Sequence, residues 1–235
     1  MSEEKKQASR IQTSILNPDE KKVLVWLAER MPSWVTSDML TFVGFLGSLI
    51  MATGYALSNL NLKWLWLSCF GLVVNWFGDS LDGSLARVRN AQRKTYGFFI
   101  DHNVDVLNEM IMFIGVGVSP LVNMSFAMLA LVGYFMLSIY VYIDCHLKGE
   151  MRLTYGGLGP TEFRLMLILV NIAFIYIPWL TTWKKTIWLF HNEFHVGLFD
   201  YIAVCVAVLL IVFYIVGFFR DAAYYSKIDP PKKQE

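Results

Sequence analysis

Asp79, Asp82, Asp101 and Asp105 stand in the stretch GDSLDGSLARVRNAQRKTYGFFIDHNVD (residues 78–105), at the ends of apolar runs. An aspartate deep in a bilayer costs roughly 2.5–3.5 kcal/mol on insertion scales, so four of them need a compensating role. On a helix, Asp79 and Asp82 share a face that Gly83 and Ala86 continue, and Gly97, Asp101 and Asp105 form an i, i+4, i+8 row. Two adjacent antiparallel helices therefore aim two carboxylates each at one space. Unscreened, four such anions repel one another. Divalent cations remove the repulsion, and carboxylate oxygens are the donors that Mg2+ and Mn2+ prefer. Gly83, Ala86 and Gly97 either leave room for a bulky ligand beside those carboxylates or let helices pack closely, a common use of small residues in membranes.

The elements that position these residues are membrane helices. The chain has 235 residues, 56% hydrophobic and 17% charged, where a soluble domain carries about a quarter charged. Six runs are long and apolar enough to span, at 37–60, 63–86, 96–117, 121–146, 161–182 and 198–221. Ahead of them, DEKKVLVWLAERMPSW is too short to span. It places Val23, Leu24, Trp26, Leu27 and Met31 on one side, as an amphipathic helix in the membrane interface does. The expected fold is thus an all-α integral membrane protein. A polar tail covers 1–17, the interfacial helix 18–34, a six-helix catalytic domain 35–222 and a second polar tail 223–235. The N-terminal segment lacks the apolar core of a cleaved signal peptide, so the spans serve as their own insertion signals. Cys69, Cys145 and Cys205 share no motif spacing and read as small buried residues. Seventeen of the twenty Lys and Arg residues fall on one side of this arrangement; Lys63, Lys184 and Lys185 fall on the other. Both termini and the aspartates are then cytoplasmic. In a bacterium the location is the inner membrane. Nothing in this charge pattern calls for nucleic acid.

The pattern Asp79-x2-Asp82-Gly83-x2-Ala86-Arg87, then Gly97-x3-Asp101-x3-Asp105, resembles the signature of the CDP-alcohol phosphotransferase family, membrane enzymes of phospholipid synthesis. All eight fixed positions match, and the six spans with a preceding amphipathic helix agree as well. Nine residues separate Arg87 from Gly97, slightly more than is usual in the family, and the excess lies in the polar connection. The resemblance implies that a CDP-linked alcohol donates a substituted phosphate to an acceptor alcohol with release of CMP. It implies that Mg2+ or Mn2+, two ions per site, is held by Asp79, Asp82, Asp101 and Asp105. It further implies that Asp105 is the general base, that Asp82, Gly83, Ala86, Arg87 and Gly97 bind the nucleotide, and that the protein is a homodimer among membrane lipids. His102 and Asn108 complete a DHxxDxxN arrangement similar to the choline and ethanolamine phosphotransferase branch, in which the histidine is a second candidate base. Phe98 stands where that branch carries a glutamate. CDP-diacylglycerol is the favoured donor, with a CDP-amino-alcohol acting on a lipid hydroxyl as the alternative.

The fourth connection, HLKGEMRLTYGGLGPTEFR, lies on the aspartate side. It reads either as a cytoplasmic loop with a glycine turn or as the acceptor site. Lys148, Arg152 and Arg164 suit an acceptor phosphate, and Glu162 suits a cationic head group. His191 and His195 in HNEFH have helical metal spacing but lie on the opposite side in a polar loop. Trp64, Trp66, Trp179, Trp183 and Trp188 mark that boundary as an aromatic belt. An ion or proton transporter would place its carboxylates mid-span, within repeats, and no repeat is visible. A membrane prenyltransferase would carry NDxxDxxxD, which the Asp-Gly-x-x-Ala-Arg core does not follow. The orientation has a direct test: a cysteine replacing Asn90 should react with an impermeant thiol reagent from the cytoplasmic side only, and labelling from outside would overturn the topology.

Overall fold

The computed structural model describes residues 9–11, 16–148, 150–152, 159–189 and 192–231. In chain order the elements are β1 (Ser9–Ile11), α1 (Asn17–Arg30), α2 (Ser37–Leu57), a short 3-10 turn (Leu62–Trp64), α3 (Leu65–Val88), α4 (Lys94–Val118), α5 (Met124–Lys148), β2 (Glu150–Arg152), α6 (Pro160–Tyr176), α7 (Pro178–Thr182), β3 (Lys184–Leu189), β4 (Asn192–Gly197) and α8 (Leu198–Ile228). Three of the described helices, α2, α5 and α8, are apolar and long enough to cross a membrane. α3 and α4 have the length, at 24 and 25 residues, but they carry the charges of the site.

α1 carries Pro18, Asp19 and Glu20 in its first turn and Arg30 in its last, the polarity that the helix dipole favours. It buries Leu24 and Ala28 against Leu81 and Leu85 of α3. α2 is capped by Thr36, whose hydroxyl accepts the Met39 N–H at 3.2 Å. Arg89 then fastens the end of α3 to the α1–α2 connection, donating to the carbonyls of Met31 at 3.0 Å and Pro32 at 2.8 Å and to that of Val35.

Backbone contact joins α2 to α3. A Cβ on Gly47 would lie 2.3 Å from the Asn75 nitrogen, and one on Gly78 would lie 2.2 Å from the Gly44 nitrogen. A hydrogen atom is all that fits there. Lipid tails are as apolar as leucine, so burial does not drive helices together within a bilayer; close van der Waals contact along small residues does.

Four features depart from the sequence-based expectations. The run 161–182 is two helices, because Pro178 lacks the N–H that would continue α6 and forces Ile177 out of helical backbone, to φ −117° and ψ 87°. The segment after α7 is a β-hairpin, β3 against β4, with Ile187 opposite Phe194. Both pack on a core of Leu121, Val122, Phe126 and Phe199. Its basis is the alternation Thr186-Ile187-Trp188 and Glu193-Phe194-His195-Val196, which has the period of a strand. Helical metal spacing therefore does not apply to HNEFH, and His191 lies outside the described residues. β1 also pairs in parallel with β2, so the fold is helical with two small β pairs and not all-α. Finally, α8 continues to Ile228, beyond the expected boundary at 222, and ends before Pro230 and Pro231.

Asn90 adopts left-handed backbone, φ 52°, closing α3, so exposed Gln92 is the less perturbing position for a labelling cysteine. Gly47→Ala and Gly78→Ala should each destabilise the fold by about 1–3 kcal/mol through overpacking, lowering the thermal midpoint of the detergent-solubilised protein. Gly83→Ala should not, since a Cβ there meets the Arg87 guanidinium at 3.4 Å. Equal midpoints for all three would refute the seam.

Candidate active site

α3 and α4 both pack on α2, not on each other as the sequence suggested, and each presents carboxylates to one shared space. One oxygen from each of Asp79, Asp101 and Asp105 lies within 4.8 Å of the other two. Hard oxygen donors at that separation suit a divalent cation, so these three residues fit the metal that the sequence implies. Asp82 is turned differently. Its Oδ2 accepts the Thr41 hydroxyl at 2.6 Å, its Oδ1 accepts the Gly83 N–H, and its own carbonyl accepts the Ser37 hydroxyl at 2.9 Å. It therefore faces the first turn of α2, outside the three-carboxylate group.

The small residues of the motif divide by what surrounds them. A Cβ on Gly97 would meet nothing within 4 Å, and one on Gly83 would meet the flexible end of Arg87. Both border open space, as room for a ligand requires. Ala86 lies partly exposed on the same helix, and Arg87 reaches the Ser84 hydroxyl with Nη2 at 2.9 Å. His102 lies on the flank of α4. Its ring stacks on Phe98 at 4.0 Å and meets the edge of Tyr142 at 5.1 Å. Nδ1 is 2.8 Å from the Phe98 carbonyl. A nitrogen facing a carbonyl oxygen donates, so Nδ1 carries the proton there. Asn108 is buried and accepts the Ser48 hydroxyl at 2.9 Å, so it serves the α2–α4 contact.

The residues expected at the acceptor site have separate fates. Arg164, on the first turns of α6, joins the aspartates: Nη2 donates to Asp79 Oδ2 at 2.5 Å and Nε donates to Asn75 Oδ1 at 2.9 Å. Glu162 is buried, and its oxygens accept the N–H groups of Gly159 and Leu16, each at 2.9 Å, which caps α6 and ties it to the approach to α1. That use corrects the expectation of a cationic head group beside it. Lys148 pairs with Asp144 at 2.7 Å and Asp221 at 3.0 Å, linking α5 to α8. Arg152 is described by backbone alone, in β2, and Gly156 and Gly157 lie outside the described residues.

Asn75, Thr41 and Glu109 were not anticipated. Asn75 stands one turn before Asp79, and Glu109 one turn after Asp105, so extending the two rows by a single i+4 step would have found both. Glu109 Oε2 is buried with no hydrogen-bond partner among the described residues.

The sequence model of a family described as CDP-alcohol phosphatidyltransferase matches residues 34–213. An archaetidylinositol phosphate synthase of Pyrococcus horikoshii is 28% identical over 177 residues, covering 72% of this chain and 90% of that protein. A phosphatidylinositol phosphate synthase of Cutibacterium acnes is 33% identical over 82 residues, 35% of this chain and 37% of the relative.

Proposed function

Because this chain belongs to the CDP-alcohol phosphatidyltransferase family, we propose that it transfers a phosphatidyl-type group from a CDP-linked lipid to the hydroxyl of a polyol phosphate. The donor is CDP-diacylglycerol or its diether counterpart, and an inositol phosphate is the first acceptor to assay. The names of the two relatives support that acceptor. The observation that carries the reading is the cluster of Asp79, Asp101 and Asp105 with Arg164 beside it. A fixed guanidinium next to a cation-binding site suits an acceptor that brings its own phosphate.

The fold would frame the site through six passes, α2, α3, α4, α5, α6 with α7, and α8, with α1 in the interface. The distribution of Lys and Arg supports cytoplasmic termini and a cytoplasmic site. Asp79, Asp101 and Asp105, with Asp82 beside them on α3, would hold Mg2+ or Mn2+, two ions in this reading. When bound, such ions would neutralise the diphosphate and the charge on the leaving CMP. Gly83, Ala86, Arg87 and Gly97 border the nucleotide. Asp105 takes the proton of the acceptor hydroxyl while the hydroxyl oxygen of the acceptor bonds the phosphorus distal to cytidine. The bond from that phosphorus to the bridging oxygen breaks, and CMP leaves with the electron pair. His102, with Nδ1 engaged by Phe98, flanks the acceptor side. Arg164 holds the acceptor phosphate, with Arg152 its partner from the preceding connection. Asn108 is committed to packing, so the DHxxDxxN likeness gives little support to an amino-alcohol donor.

The decisive assay follows radiolabel from each CDP donor into lipid, with inositol phosphate, glycerol phosphate, inositol and serine as acceptors. Product should form with a polyol phosphate, depend on Mg2+ or Mn2+, and be lost in Asp79→Asn and Asp101→Asn; full activity in chelator would defeat the metal assignment. Asp105→Asn should lower turnover while donor binding survives. Arg164→Ala should raise the acceptor KM by about 10- to 150-fold, the equivalent of one charged hydrogen bond, and spare the donor KM. Equal losses for both substrates would mean that this arginine is structural.

A further inference from the structure

The Arg164 guanidinium has two anchors of different kinds. Nη2 lies on Asp79, a member of the carboxylate cluster, and Nε lies on Asn75, one turn earlier on α3. Asn75 is 1% exposed and cannot turn. Its Nδ2 donates to the Gly44 carbonyl at 3.0 Å and to the Ser48 hydroxyl at 3.1 Å, across the closest part of the α2–α3 seam. An amide whose NH2 is held by two acceptors must present its oxygen on the other side, towards Arg164. The Asn75 anchor is therefore fixed by the fold, whereas the Asp79 anchor is a carboxylate that a bound cation also claims.

We infer that Arg164 is a cation-displaced anion receptor for which Asn75 is the positioning residue. Loading of the carboxylate cluster withdraws Asp79 from Nη2, Asn75 keeps Nε in place, and the freed arm of the fork turns to the acceptor's phosphate. Arg164 is thereby the counter-charge of Asp79 until the divalent cation and donor arrive, and acceptor binding follows theirs. This inference rests on the metal and acceptor-phosphate reading above. It adds the competition at Asp79 and the role of Asn75.

Competition between two cations for one carboxylate is measurable without turnover. Mn2+ binding to the full chain in detergent is followed by loss of the free-ion EPR signal, with folding checked by thermal unfolding. Arg164→Ala removes the competitor, so Mn2+ should bind at least about 5-fold more tightly, while Arg164→Lys keeps the charge and should stay near wild type. Asn75→Ala should leave Mn2+ affinity within about 2-fold of wild type yet weaken binding of myo-inositol 1-phosphate at saturating Mg2+ by about 10-fold, the loss of one charged hydrogen bond. Unchanged or weaker Mn2+ binding in Arg164→Ala would overturn the inference alone. Parallel loss of Mn2+ and phosphomonoester binding in Asn75→Ala would make Asn75 a packing residue and overturn it likewise. Failure of Mn2+ to bind the wild-type chain would remove the metal reading itself, and this inference with it.

Discussion

The contact of α2 with α3 is the constraint on which the rest depends. Gly47 on one helix and Gly78 on the other meet the facing backbone, at Asn75 and Gly44, at distances that exclude a side chain on either glycine. Such contact leaves α3 one rotation about its axis, since any other would press a side chain into the α2 backbone. That rotation turns Asp79 towards α4 and α6, and Asp82 towards Thr41 on α2. Interhelical hydrogen bonds in membranes average only about 0.6 kcal/mol, so the polar links between Asn75, Ser48 and Asn108 select a register more than they drive association. The glycine seam sets the distance and the rotation, and the buried amides set the register.

Charge then governs what gathers around α3. Asp79, Asp101 and Asp105 bring three carboxylates together in a partly buried place, where like charges are poorly screened. α6 answers by placing Arg164 against Asp79, and α6 itself is held by Glu162, whose carboxylate caps the helix and takes the Leu16 N–H. Glu20 extends the link, accepting from both Trp76 on α3 and Thr161 on α6. The position of Arg164 is thus decided by a chain of polar contacts running from the approach to α1, through the start of α6, to α3.

Helical spacing alone made Asp79, Asp101 and Asp105 legible, and they meet as expected, but Asp82, expected beside Asp79, turns to Thr41 and Gly83. Hydropathy likewise located most helices. It could not reveal the break at Pro178 within a continuous apolar run, or a hairpin whose strands hold few apolar residues. Acidic residues near helix ends were the hardest to read. Glu162 and Asp200 both lie at the third position of a helix and cap it, and Asp200 also accepts from Asn123 at the start of α5. Nothing in composition separates such a cap from a ligand-binding acid. Position relative to the helix start does separate them, since the first turn offers unpaired N–H groups.

The same test bears on DHxxDxxN. Read as a string, it joins His102, Asp105 and Asn108 into one motif. Read on the helix, successive residues turn by about 100°, which carries His102 to the flank against Phe98 and Tyr142. Asn108 meanwhile reaches Ser48 in the α2–α4 contact. The i+4 row Gly97, Asp101, Asp105, Glu109 keeps one face throughout, and only that row borders both the open space at Gly97 and the carboxylates of α3. Residues that act on one substrate must share a face before they share a motif. By that criterion the proposed chemistry rests on the aspartate row and on Arg164 opposite it, and Asn108 belongs to the frame that holds them.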